Sequence, residues 1–220
     1  IVMIYLSNKP KHNWDMIPYM GVVIGMDISD KKQVHQETYK RLKNETSNDE
    51  YNQLTTISDY RLTMANNYKA FNENLSYYSI KKLYTNWIRL FYKSGVSLSY
   101  STVLPSIFSI TFMILFIYFI LYKELKNIYL SLIIVSIILS LGQLTEIATL
   151  STPDALSSFL LLLIAFSYLY KRHNAIILLL MVLSVLTRTD NIIWCSFLIV
   201  SDFISNYRLQ KLISNGIALI

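Results

Sequence analysis

Val103-Leu104-Pro105-Ser106-Ile107-Phe108-Ser109-Ile110-Thr111-Phe112-Met113-Ile114-Leu115-Phe116-Ile117-Tyr118-Phe119-Ile120-Leu121-Tyr122 carries no ionisable group apart from two terminal-half tyrosines. It is as long as the roughly 20 residues a helix needs to cross the hydrocarbon core of a bilayer. Read outward from this run, the chain is a membrane protein. Further apolar runs follow at Ile128–Leu144, Ala155–Tyr170, Ala175–Thr187 and Ile192–Ile204. The last three fall short of a full crossing, which tilt, local thinning or shielding by neighbouring helices would accommodate. The predicted fold is all-α: a polytopic bundle of transmembrane helices preceded by a long external loop that contains interfacial helices. Pro105 is placed in a first helical turn, where its missing N–H costs little.

Composition agrees. Of the 220 residues 53% are hydrophobic, and the mean hydropathy is +0.38, high for a soluble domain. The formal charge of +6 does not point to nucleic acid, because the charges gather between apolar runs, where they set topology. Lys123-Glu124-Leu125-Lys126, Lys171-Arg172-His173 and the segment Arg208–Lys211 are basic; the positive-inside rule puts them in the cytoplasm. The alternate turns carry Glu146, Asp154, Arg188 and Asp190 and fall outside, as does Ser7–Ser101 by parity. The organisation expected is 1–6 as the end of a truncated transmembrane helix and 7–102 as the external loop. A five-helix module then spans 103–204, and 205–220 is a cytoplasmic loop with the start of a further span. The single cysteine, Cys195, lies in an apolar run and can form no internal disulfide.

Within the external loop, Asp30–Asn44 reads as a polar helix capped by Asp30. Tyr77–Lys93 reads as one amphipathic helix ended by Gly95. Its apolar face includes Ile80, Leu83, Tyr84, Trp87, Ile88 and Phe91, interrupted by Lys81, Lys82, Arg89 and Lys93. It is too charged to span and too aromatic to be freely solvated, so it lies in the membrane interface or packs on the rest of the loop.

Ionisable residues at the mouth of an apolar bundle need partners or a ligand. Transfer from a lipid-phosphate donor needs a carboxylate base, cations for the phosphate and an apolar groove. Asp15 or Asp27 supplies the base; Lys81, Lys82, Arg61 and Arg188 are candidate phosphate contacts; Asp154, Asp190 and Tyr84 shape the site. Each has a plainer reading: Asp15 as a surface acid or cap, Asp154 as a helix-dipole partner, Arg188 with Asp190 as a local ion pair, Lys81 and Lys82 as snorkelling side chains. His12 and Asp15 have a metal-like spacing but are too few to hold an ion. The triplets Asn44-Glu45-Thr46 and Asn74-Leu75-Ser76 match the glycosylation acceptor pattern, which arises often by chance. No Gly-rich phosphate loop, zinc motif or Ser/His/Asp order is present.

Three stretches carry a resemblance. They are Asn13-Trp14-Asp15-Met16-Ile17-Pro18-Tyr19, Tyr77-Tyr78-Ser79-Ile80-Lys81-Lys82-Leu83-Tyr84, and Ser151-Thr152-Pro153-Asp154-Ala155-Leu156-Ser157, the last followed by Leu186-Thr187-Arg188-Thr189-Asp190-Asn191. Together they resemble the GT-C superfamily of integral-membrane glycosyltransferases, of the protein O-mannosyltransferase and aminoarabinose transferase type. The resemblance implies an acid at the start of the first external loop, interfacial helices within that loop, and a membrane module of short helices. It also implies a polyprenyl-phosphate-linked sugar as donor and an inverting transfer. Where adjacent acids are usual in the first loop, Asp15 is followed by Met16, leaving a second acid to Asp27. The partners expected are the lipid-linked donor and membrane lipids; the acceptor, the sugar and any divalent metal stay open. A transporter or flippase of a lipid-linked glycan and a non-catalytic membrane scaffold are the rival readings. The uncharged mid-depth of the apolar runs favours the enzyme over the transporter.

Overall fold

The computed structural model describes residues 10–140, 142–170 and 173–217, with side chains placed through 204. The expected helix stub at 1–6 and the last residues, 218–220, lie outside the described residues. Those described form twelve α-helices and no strand. They are α1 Met16–Gly25, α2 Lys31–Glu45, α3 Asn48–Thr56, α4 Asp59–Asn66, α5 Tyr68–Ser79, α6 Lys82–Lys93, α7 Leu98–Leu125, α8 Ile128–Ser140, α9 Gln143–Ala148, α10 Asp154–Leu169, α11 Asn174–Thr187 and α12 Asn191–Ile217.

The segment expected as an external loop is a packed helical unit built around α1. Nine of the ten residues of α1 are buried, because MIPYMGVVIG is apolar on every side and such a helix must be enclosed. Helices α2, α5, α6 and α7 enclose it. Four of the helices in this unit begin at side-chain caps: Asp30, Ser47, Ser58 and Asn67 accept amide hydrogens from the first turns of α2, α3, α4 and α5. Asp30 thus caps the helix predicted from it. Helix α7 starts at Ser97, which makes no such bond. Glu45, from the end of α2, does the capping instead: its carboxylate accepts the Ser99 amide at 2.7 Å. This ties the N-terminal unit to the long helix.

Two expectations need correction here. Tyr77–Lys93 is not one helix; it breaks between α5 and α6 at Ile80 and Lys81, where Lys81 has φ −82° and ψ 61°. Tyr78 and Tyr84 are six residues apart, which on one helix would place them about 120° apart around its axis. The break lets both rings reach Tyr19, each with centroids 4.9 Å away. Pro105 stands two turns inside α7, which begins at Leu98 rather than near residue 103; the added turns carry the buried Leu98, Ser99, Ser101 and Thr102.

Only α7, among the described residues, is both long and apolar enough to cross a membrane. Helices α8, α10, α11 and the stretch Asn191–Ile204 of α12 are shorter apolar helices. The run Ile128–Leu144 is divided by Gly142, whose φ of +73° a side chain would strain. Helix α12 continues unbroken to Ile217, through the segment expected as a loop. Helices α7, α10 and α11 pack in sequence, with α6 laid across α7 and α11.

Candidate functional site

Four helix starts converge on one cleft of about 480 Å³. Asp15 occupies the N-cap position of α1, Lys81 that of α6, Pro153 that of α10, and Asp190 directly precedes α12. The first amides of each helix have no partner within it, and aligned peptide dipoles give each start a partial positive charge. Asp15, Lys81, Asp154, Arg188 and Asp190, drawn from four distant parts of the chain, line the cleft together with Tyr19, Tyr77 and Tyr78.

Asp15 spends neither oxygen on capping its helix. One accepts the Tyr78 hydroxyl at 2.6 Å; the other accepts the Asn13 side-chain amide at 3.3 Å. Burial raises the Tyr78 hydroxyl above the ordinary phenol value, and its bond to Asp15 and that carboxylate's charge raise it further. Tyr78 therefore stays a donor. Burial also raises Tyr19, with Tyr84 adding to it.

Lys81 extends its ammonium among three tyrosines. Nζ donates to the Tyr19 hydroxyl at 3.1 Å and lies 4.8 Å, 4.9 Å and 5.5 Å from the ring centroids of Tyr77, Tyr78 and Tyr19. These are cation–π distances. Burial lowers its pKa; attraction to Asp15 works against that, and repulsion from Arg188 adds to it. Among the described residues no carboxylate comes within ion-pair distance of Nζ.

Arg188 is placed otherwise than expected of a phosphate contact. Its guanidinium is forked onto Asp190 through Nε at 3.1 Å and Nη2 at 2.6 Å, and its Nη1 donates to Asp154. Those bonds, led by the one to Asp190, raise Arg188, and Arg188 in turn holds the Asp190 carboxyl below its ordinary value. The turn bearing this cluster is fixed from beneath. The buried Asn191 amide donates to Ser157 Oγ at 2.8 Å, Ser184 Oγ at 2.9 Å and the Ser184 carbonyl at 3.1 Å, joining α10, α11 and α12.

The remaining candidates lie elsewhere. Asp27 is beyond the far end of α1 from Asp15, about 15 Å along the helix. It pairs with Arg89 at 2.6 Å and Lys93 at 2.8 Å; Lys93 first, then Arg89, holds its carboxyl low. Lys82 is the exposed first residue of α6, turned away from the cleft by the break before it. Arg61 donates to the Gln53 carbonyl at 2.7 Å, closing α4 on α3. Tyr84 is fully buried, gives its hydroxyl to the Thr102 carbonyl at 2.7 Å and props Tyr19. His12 meets Glu50 at 3.2 Å rather than Asp15, and no three His, Cys, Asp or Glu side chains gather as a metal site among the described residues. Asn13, Tyr19, Tyr78 and Asn191 carry much of the site; they lie in the stretches that carry the resemblance, yet no residue pattern in the sequence assigns them a role.

Compared with protein-family models, curated proteins and solved structures, the chain finds no match.

Proposed function

We propose that this chain is part of a multi-pass membrane glycosyltransferase of GT-C type, moving a sugar from a polyprenyl-phosphate donor to an acceptor at the non-cytoplasmic face. The observation that carries the proposal is that one cleft holds both a carboxylate, Asp15, and a half-buried ammonium, Lys81, neither of which forms an ion pair among the described residues. Asp15 takes the proton of the acceptor hydroxyl as its oxygen attacks the anomeric carbon. The bond from that carbon to the phosphate oxygen breaks, its electron pair leaves with the phosphate, and Lys81 and the converging helix starts stabilise the charge. Attack opposite the leaving group inverts the anomeric centre. Arg188, held by Asp154 and Asp190, keeps two helix starts together beside the phosphate.

The surface supports the membrane setting. Leu115, Phe119, Tyr129, Ile133, Leu178, Leu179, Ile193 and Phe197 are all exposed large apolar side chains on α7, α8, α11 and α12. So broad an apolar exterior marks a partner or a lipid phase, and the charged cleft sits where α10 and α12 start and α11 ends.

Purified full-length protein given a polyprenyl-phosphate sugar tests the reading. Asp15→Asn keeps the shape and removes the basicity, so turnover falls at least about 10²-fold with donor binding retained. Lys81→Ala weakens donor binding instead, by loss of a charge-assisted contact. Near-normal turnover in Asp15→Asn removes Asp15 from the reaction; unchanged behaviour in both variants turns the reading toward a transporter or scaffold.

A further inference from the structure

Asp15 is held by two donors, one on each oxygen, and one of them is itself anchored across the fold. The Asn13 side-chain oxygen accepts the Ser151 amide at 2.9 Å. That bond settles which end of the amide is nitrogen and leaves the Nδ2 hydrogens for Asp15. Ser151 is fully buried, and its hydroxyl shares a hydrogen bond of 2.7 Å with Thr102 on α7. The Lys11 amide donates to the Thr149 carbonyl at 3.0 Å, a second tie between the same two segments. Tyr78, buried at the end of α5, serves the other oxygen.

We infer that Asn13 is a positioning residue for Asp15: it fixes the carboxylate relative to the Thr152–Asp154 wall of the cleft, with Tyr78 fixing the opposite oxygen. This rests on the reading of Asp15 as the base. The amide is the one side chain of its size that meets both demands, because Ser151 needs an acceptor and Asp15 needs a donor. A carboxylate at position 13 would satisfy Ser151 and repel Asp15.

A thermal and kinetic cycle on the full-length protein in detergent tests this. Asn13→Asp lowers the unfolding midpoint and reduces kcat by about 10²-fold, the cost of misplacing a reacting group, with donor KM within about twofold. The double exchange Asn13→Asp with Asp15→Asn restores the midpoint, because donor and acceptor have traded places, yet leaves turnover as low as in Asp15→Asn alone. Tyr78→Phe lowers kcat with a midpoint close to that of the wild type. Rescue of the midpoint by the double exchange establishes the contact between positions 13 and 15, and the fall of kcat at near-constant donor KM in Asn13→Asp is the readout that supports positioning, which a merely structural Asn13 would not give. The inference is overturned if Asn13→Asp changes neither midpoint nor turnover, or if the double exchange melts no higher than Asn13→Asp alone. Wild-type turnover in Asp15→Asn would instead sink the catalytic reading, and the thermal arm would still decide the contact.

Discussion

At Gly21 a hydrogen stands where a methyl would meet Phe71 Cζ at 2.8 Å and Leu75 Cδ2 at 3.0 Å. Helix α1 can lie so close to α5 only because that position is bare, and the separation sets where Tyr19 and Tyr78 meet. Gly21→Ala is therefore expected to cost about 1–3 kcal/mol through overpacking. Gly25→Ala, with only Val34 methyls at 3.9 Å and 4.0 Å, is expected to be neutral or stabilising by up to about 1 kcal/mol through the unfolded chain. Urea titration of both variants checks the contrast. Lys81 makes a pH prediction. Its pKa is lowered by burial, so the ammonium loses its proton below the ordinary lysine value. Affinity for a polyprenyl phosphate should fall as pH rises through that lowered value, and Lys81→Arg should move the loss upward, since arginine stays charged; calorimetry across pH measures it. Asp15, Asp154, Arg188 and Asp190 were legible as ionisable residues at the ends of apolar runs, costly without a purpose, and Lys81 as a cation interrupting an amphipathic face. The pairing of Arg188 with Asp190 was legible as a local ion pair; its bond to Asp154 was not, since it depends on a fold bringing together residues 34 positions apart.

Among the elements, α6 shows most clearly how far periodicity reaches. The amphipathic pattern over 77–93 is present, and its end at Gly95, with φ +97°, follows from it. The break at Lys81 does not; it accompanies the meeting of Tyr78 and Tyr84 with Tyr19 of another helix, a contact no local pattern reveals. Helix α6 buries Tyr84, Thr85 and Ile88 against its neighbours. Leu83, Trp87 and Leu90 form the less buried stripe, with Trp87 against Phe91 and Phe91 stacked on Phe108 of α7. Spin labels at 87 and 90 are expected to contact lipid and those at 84 and 88 to be protected; uniform exposure to bulk water would refute an interfacial stripe. The apolar run of α1 offers periodicity no face to read, because it is apolar all round. Its far end is latched to α6 by Asp27. Since the folded carboxyl there is held below its ordinary value, the latch contributes above the unfolded value of about 3.9 and is lost as pH falls through the lower folded value. The difference in unfolding midpoint between wild type and Asp27→Asn should accordingly vanish under acid conditions.

At the scale of the whole molecule, the cleft is where an N-terminal helical unit meets the ends of the apolar helices. If those helices cross a membrane, positions 15, 154 and 190 share one side and His173, at the start of α11, faces the other. Cysteine labelling of intact cells in a background lacking the buried Cys195 checks this; labelling of His173→Cys from the same side as Asp190→Cys would sink the topology. The all-helical class was legible from apolar runs and caps. The packing of α1–α6 into a unit was not, because contacts such as Glu45 with Ser99 join residues that no local pattern relates. The tie between Asn13 and Ser151 spans 138 positions, and this has a consequence in time. A ribosome adding about 5–20 residues per second needs roughly 7–28 s to deliver the second partner after the first. Helix α5 is complete about halfway through that interval, and from then until Ser151 arrives Tyr78 can hold the Asp15 carboxylate while Asn13 lacks its anchor. A nascent chain halted before Ser151 thus carries the acid with Asn13 unanchored, and the site is completed only when the turn before α12 has emerged.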